Sequence, residues 1–267
     1  MSREYRFVAN PPRGPLGWWL WLPVGLTALV TLTWTIRGTG ADPRQLIDGL
    51  PWIGDFISRM LPPNLGYIRE NLLGPALQTV QIALLGTVLA VVLAIPLSLA
   101  AARNLSPWPW LYHASRQVLN LLRGINEIIL ALVFVAAVGL GPFAGVLALA
   151  LHGAGMVGKF FAEAIEEIDP GPVEAMRAAG CDTPRIVLFA ILPQVLPAWL
   201  GTLLYRLEAN IRISTILGMV GAGGIGFELI TTMKLFEYEN TAACVLVILA
   251  LVFGSDLVSA KLRSYLR

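Results

Sequence analysis

Long apolar runs separated by shorter polar stretches dominate this chain. They cover 17–36, 74–102, 117–138, 143–161, 194–213 and 241–260. Each is about as long as a bilayer-crossing helix, which takes about 20 residues. The pattern predicts an all-α integral membrane protein with about six transmembrane helices. The first run opens on Trp18, Trp19 and Trp21, side chains suited to a membrane–water boundary. It is too long for the core of a signal peptide and reads as a retained helix. Composition agrees: of 267 residues, 56% are hydrophobic and 13% are charged. A soluble domain carries about 25% charged residues.

Charge placement predicts topology. Arg3, Arg6, Arg13, Arg103, Arg116, Arg177, Arg185, Lys261, Arg263 and Arg267 fall to one side of the alternating spans. On the other side Arg37, Arg44, Arg59 and Arg69 are balanced by Asp42, Asp48, Asp55 and Glu70. The positive-inside rule places the first group, and both termini, in the cytoplasm. Residues 1–73 then form an N-terminal helix and an external amphipathic segment, and 74–267 the membrane core. Trp52, Phe56 and Met60 recur at helical spacing, as do Ile53, Ile57 and Leu61. That predicts a short helix, lying on the membrane surface or packed within its loop. The stretch 214–240 is glycine-rich and is expected outside, partly re-entrant. Gly141, Gly145 and Gly153 give the fourth span a face that allows close helix packing.

Between spans four and five, 163–193 mixes charge, small residues and turn signals. Asp169 is suited to cap a helix that Pro170 and Pro172 open, and Gly180 to end it in a left-handed residue. Asp182 or Thr183 can cap a second helix with Pro184 near its start. The result is helix, sharp turn, helix, with Ala175, Ala178 and Ala179 on the first piece. Such a knuckle is shaped to dock into another protein.

This stretch resembles the EAA loop of ABC importer membrane subunits, a Glu-Ala-Ala followed by a glycine and then Ile-x-Leu-Pro. Glu174, Ala175, Gly180, Leu192 and Pro193 match at the family's spacing. Met176 stands for the third small residue and Ala190 for the isoleucine. The resemblance implies a cytoplasmic coupling helix that receives the stroke of a separate ATPase.

Two motifs point elsewhere and fail on context. GAGMVGKF, Gly153–Phe160, is one residue short of a phosphate-binding loop: Phe160 stands where Ser or Thr must hold magnesium, and no strand precedes it. GAGGIG, Gly221–Gly226, fits a dinucleotide fingerprint but lies among membrane spans. Its glycines are read as backbone freedom instead. Gly218, Gly221, Gly223, Gly224 and Gly226 resemble the outer-gate stretch of small ABC importer permeases.

Charges inside spans are costly and usually face a cavity or a partner. Arg123 and Glu127 lie four apart in the third span, as do Glu208 and Arg212 in the fifth, beside Arg206. Helical rise puts Glu127 about 15 Å and Arg206 about 18 Å into their spans, close enough to pair. Asn120, Asn126 and Asn210 could complete the hydrogen bonding. These residues form either a polar path, with Arg206 and Arg212 offsetting an anionic solute, or a network that only locks helices together. His113 and His152 read as structural, and Cys181 and Cys244 predict neither a disulfide nor a metal site.

From Leu73 onward the resemblance sharpens to phosphonate ABC importer permeases. The blocks are QIALLGTVLAVVLAIPLSLAAAR from Gln81, GLGPFAGVLALALH from Gly139 and FFAEAIEEIDPGPVEAMRAAG from Phe160. The segment Tyr205–Arg212 and VGAGGIG continue the match, though methionine importer permeases look similar there. The fold implied is a type I, methionine-importer-like permease. A permease dimer, of two copies or two related chains, would sit on two ATPases and receive solute from a periplasmic or lipid-anchored binding protein. No cofactor is expected on this chain; ATP and magnesium would sit on the partner. Phosphite and methionine remain alternative solutes. A proton-coupled secondary transporter using Glu127 or Glu208 is a further reading. An intramembrane enzyme is disfavoured, since two isolated histidines make no nucleophile–base pair.

Overall fold

The computed structural model describes residues 17–265. Arg3, Arg6, Arg13 and Arg267, used above for topology, lie outside them. The chain divides into two compact units, Met1–Phe56 and Ile57–Arg267.

The first unit contains α1 (Gly17–Thr39) and most of α2 (Pro43–Arg59). Helix α1 covers the expected first span. Its threonines return their hydroxyls to their own backbone: Thr27 donates to Pro23 O at 2.7 Å and Thr35 to Thr31 O at 2.7 Å. An apolar surface can carry these residues because no hydroxyl is left unpaired. Helix α2 carries Trp52, Ile53, Phe56 and Ile57 of the positions whose spacing predicted a helix, and ends before Met60 and Leu61.

In the second unit α3 (Leu65–Ala101) is followed by the pair α4 (Pro109–Gly124) and α5 (Glu127–Val138), then α6 (Pro142–Glu166). The elbow helix α7 (Pro170–Ala178) leads to α8 (Thr183–Ala222), the short α9 (Ile225–Lys234) and α10 (Tyr238–Tyr265). No strand occurs among the described residues. Among the described residues α3, α6, α8 and α10 are long and apolar enough to cross a membrane, and the bent α4–α5 pair adds a fifth if it is one span.

The second unit begins at Ile57. Leu72 is fully buried against Ala243 and Cys244, with Tyr67 and Ile68 beside it, so 65–73 packs with α10. A widened π turn over Ile68–Leu72 keeps this segment continuous with the span.

Helix α6 is the most buried span and the bundle packs around it. Small residues let neighbours approach. A Cβ on Gly153 would lie 2.8 Å from Ala90 Cβ of α3, and one on Gly155 would lie 2.6 Å from Arg123 N of α4. Between spans in lipid, close packing and interhelical hydrogen bonds replace the hydrophobic effect as the adhesive. Asn210 of α8 accordingly donates to Thr87 Oγ1 of α3 at 2.8 Å, and Ser214 to Thr79 O at 3.3 Å. Each such bond contributes about 0.6 kcal/mol on average.

The third span is not the single helix expected over 117–138. Helices α4 and α5 meet at 85°. Ile125 (ψ 124°) and Asn126 (ψ 140°) are extended, and Asn126 caps α5 by accepting Ile128 N–H at 2.9 Å. The signal was Gly124 followed by a cap-forming Asn126, a stop and a start inside an apolar run.

The fifth span is longer than expected. The second piece of the elbow runs into it without interruption. A π turn over Val187–Ile191 holds the carbonyl that the Pro193 ring would meet four residues back, and the wider turn relieves that clash. The stretch 214–240, expected outside and partly re-entrant, is mostly helical and bends sharply near Gly221–Gly224 and Leu235–Glu237.

A coupling elbow and a candidate solute path

The elbow forms as its residues dictate. The Asp169 carboxylate accepts Gly171 N–H at 2.9 Å and caps α7. At the other end Cys181 N–H reaches Met176 O and Gly180 N–H reaches Arg177 O, both at 3.0 Å, with Gly180 at φ +76°. These two bonds form a Schellman stop, which requires the left-handed glycine. Asp182 occupies the cap position of α8, and its carbonyl accepts Ile186 N–H at 3.1 Å.

Two faces of α7 have different work. Val173 and Met176 turn inward, packing with Ile186, Ala190, Leu192 and Val195. Glu174, Ala175, Ala178 and Ala179 are exposed. Met176 therefore stands on the inner face, away from the exposed small residues; its length fills the core under the elbow. Leu192 also packs inward, whereas Pro193 is exposed.

Contacts absent from the sequence reading brace the elbow against the spans. Gln194 Oε1 accepts Asp169 N–H at 3.0 Å, and its Nε2 donates to Ala190 O at 2.7 Å. The Trp199 ring stacks on Phe161 with centroids 4.1 Å apart, joining α8 to α6. Glu166 accepts Arg103 N–H at 2.7 Å and the Arg116 guanidinium at 2.8 Å. A cleft of about 340 Å³ opens beside α7, lined by Glu166, Glu174 and Arg177 among others. No sequence spacing links Gln194 to Asp169 or Glu166 to Arg116; only the folded elbow brings them together.

The intramembrane charges do not assemble as expected. The break at Ile125–Asn126 removes Arg123 and Glu127 from a common helical face. Glu127 Oε2 lies 3.4 Å from His152 Nε2, and His152 Nδ1 lies 2.9 Å from Ile125 O. Glu127 thus forms no ion pair with Arg206 among the described residues. Arg206 is only 3% exposed; its Nη1 is 3.5 Å from Met156 Sδ, and its Nε and Nη2 have no partner among the described residues. Arg212 lies 3.7 Å from Glu208 and 3.6 Å from Asp256, and Arg263 lies 2.9 Å from Glu208. The Glu208–Arg212 contact matches its spacing, while Arg263 of the expected cytoplasmic cluster joins it. These two acids and two bases cancel in charge. Arg123 is exposed, with no carboxylate partner among the described residues, and Asn120 and Asn126 are exposed near it in the chain. Asn126 and Asn210 have structural partners rather than completing an Arg206 network.

The glycine stretch closes a tight turn between α8 and α9. Gly221, Gly223 and Gly224 have φ of +95°, +76° and +73°. A Cβ on Gly226 would overlap Thr215 O, and one on Gly218 would overlap Gly223 O. Gln78 and Thr79 of α3 hold the turn: Gly224 N–H donates to Gln78 Oε1 at 2.7 Å, and Ile225 N–H to Thr79 Oγ1 at 2.8 Å. Gly141 N–H donates to Gly221 O at 2.9 Å. Nothing in the sequence pattern marked Gln78 or Thr79.

Comparison with known proteins agrees with this arrangement. Residues 94–266 match the family described as binding-protein-dependent transport system inner membrane component. The phosphite transport system permease protein PtxC of Stutzerimonas stutzeri is 44% identical over 94% of this chain and 92% of its own length. The phosphate-import permease protein PhnE of Mycolicibacterium smegmatis is 44% identical over 81% of this chain and 40% of its own. Among solved structures, an inward-facing conformation of the MetNI methionine ABC transporter has a TM-score of 0.62 at 23% identity. It covers 73% of this chain and 96% of the matched one. This chain therefore belongs to the binding-protein-dependent transport system inner membrane component family, with the fold of a type I ABC importer permease.

Proposed function

We propose that this chain is the membrane-spanning subunit of an ATP-driven importer for a small phosphorus oxyanion, a phosphonate or phosphite. The elbow carries the coupling part of this reading. It presents a small-residue face with Glu174 at its surface and is braced to α6 and α8 by Gln194 and the Trp199–Phe161 stack. A push on α7 is thereby delivered to two spans at once. The elbow faces the cytoplasm, as do both termini, and meets an ATPase that holds ATP and magnesium. A second permease, a copy or a paralogue, completes the membrane unit, and a periplasmic or lipid-anchored protein delivers solute. Transport follows alternating access, in which ATP binding shifts the populations of inward and outward states.

The oxyanion part rests on relatives named for phosphite and phosphate, and on cations within the spans. Exposed Arg123 is the cation best placed to meet solute, because Arg212 is neutralised and Arg206 is enclosed. The glycine turn held by Gln78 and Thr79 serves as the gate at the far end. The test is purification of the chain with its ATPase, then hydrolysis with binding protein loaded with phosphite, methylphosphonate or methionine. Stimulation by the phosphorus oxyanions alone is expected. Stimulation by methionine alone would remove the oxyanion reading, and absence of any ATPase would remove the coupling reading.

A further inference from the structure

The link between α3 and α4 forms a cavity of about 520 Å³ lined by Arg103, Ser106, Trp108, Pro109, Tyr112 and His113. Elbow and transport path use none of these side chains. We infer that this cavity binds the phosphate head of an anionic phospholipid.

Position comes first. Residues 102–108 join two spans, so the cavity lies at a membrane surface, at the elbow end, where Asn104 donates to Ile165 O at 2.6 Å. Trp108 and Trp110 stack in parallel, 6.2 Å apart, and are 56% and 66% exposed. Tryptophan side chains that flank a span settle at the headgroup level.

Charge comes second. Among the described residues, the Arg103 guanidinium meets no carboxylate. The nearby acid, Glu166, is taken up by Arg116 and by the Arg103 backbone N–H. Arg116 is also stacked over Tyr112 at 5.2 Å. Arg103 is thus an uncompensated cation in a cavity that Tyr112 and His113 also line, side chains able to donate to phosphate oxygens, while the Ser106 hydroxyl donates to Trp108 O at 3.3 Å. Basic pockets between spans on the cytoplasmic side recognise lipid heads in this way. The last turns of α3 expose Val92, Leu93 and Ile95, apolar surface for acyl chains. This inference needs only that α3 and the α4–α5 pair cross a bilayer, so it stands or falls separately from the transported solute.

The experiment is native mass spectrometry of the purified transporter complex, released from nanodiscs of phosphatidylcholine and phosphatidylglycerol. The wild type is expected to retain phosphatidylglycerol. Arg103→Gln should retain about fivefold less, the factor matching roughly 1 kcal/mol for one basic side chain at a membrane surface. Arg103→Lys should keep most of it and Trp108→Ala should lose part. Arg103 is exposed, so folding is not at stake, and monodisperse elution checks this. Equal retention by Arg103→Gln overturns the inference. Displacement of the lipid by millimolar inorganic phosphate would assign a small-anion pocket instead and also overturns it. So does protection of a Trp108→Cys variant from maleimide by the ATPase in lipid-free detergent, which would place a protein there.

Discussion

His152 Nε2 of α6 lies 3.4 Å from Glu127 Oε2, beside the break that divides the third span. The other ring nitrogen reaches Ile125 O at 2.9 Å, so one imidazole fastens both sides of the 85° bend. A carbonyl oxygen can only accept, so Nδ1 is the donor in that bond. His152→Ala is expected to lower stability by about 2 kcal/mol, the cost of leaving buried polar groups unpaired. Glu127→Gln should cost less, because an amide still bonds to the ring. Thermal unfolding in detergent measures both; an unchanged midpoint for His152→Ala would show that the bend holds without it.

The proposed coupling role rests on the outer face of α7. Glu174 is exposed and makes no packing contact in the core. Glu174→Arg is expected to leave membrane insertion intact and to abolish ATP-driven uptake in proteoliposomes. Full uptake by this variant would detach the elbow from the motor.

Gln194 tests how stiffly the elbow is mounted. Gln194→Ala removes the bonds to Asp169 and Ala190. At about 1 kcal/mol for each bond, amides in 169–180 should exchange several-fold to tens of times faster by hydrogen exchange. Unaltered exchange would mean that Val173 and Met176 alone hold α7.

The glycine turn should be intolerant of one methyl group. Gly226→Ala places a Cβ into Thr215 O, and overpacking of this kind costs about 1–3 kcal/mol or more. Gly201→Ala is the control, since nothing lies within 4 Å of its Cβ. Expression and thermal midpoint should fall for the first and hold for the second.

The three intramembrane arginines should separate by environment. A buried charge without a partner carries a desolvation cost that nothing offsets, and an apolar residue of similar size removes that cost. Arg206→Met should therefore unfold no earlier than wild type. Arg212→Gln should lose stability, because Glu208 and Asp256 lose a partner. Arg123→Gln should fold normally and reduce phosphite uptake at least about tenfold, a loss of roughly 1.4 kcal/mol in binding. Normal uptake with Arg123→Gln would remove it from the path.

The order of spans was written in the sequence because each apolar run must bury or present its surface along its whole length. The elbow was legible for a local reason. Its cap at Asp169, its stop at Gly180 and its restart near Asp182 and Pro184 act within one or two turns of the backbone. Partners across the bundle were not legible. Arg123 and Glu127 share a face only if the helix continues, and the bend at Ile125–Asn126 is stabilised from outside by His152. Glu208 meets Arg263, and Gly224 meets Gln78, because α10 and α3 pack beside those residues, at distances no spacing rule encodes. Local backbone chemistry determines where helices start, stop and turn. Tertiary packing alone chooses which charges are paired, which are enclosed and which remain exposed.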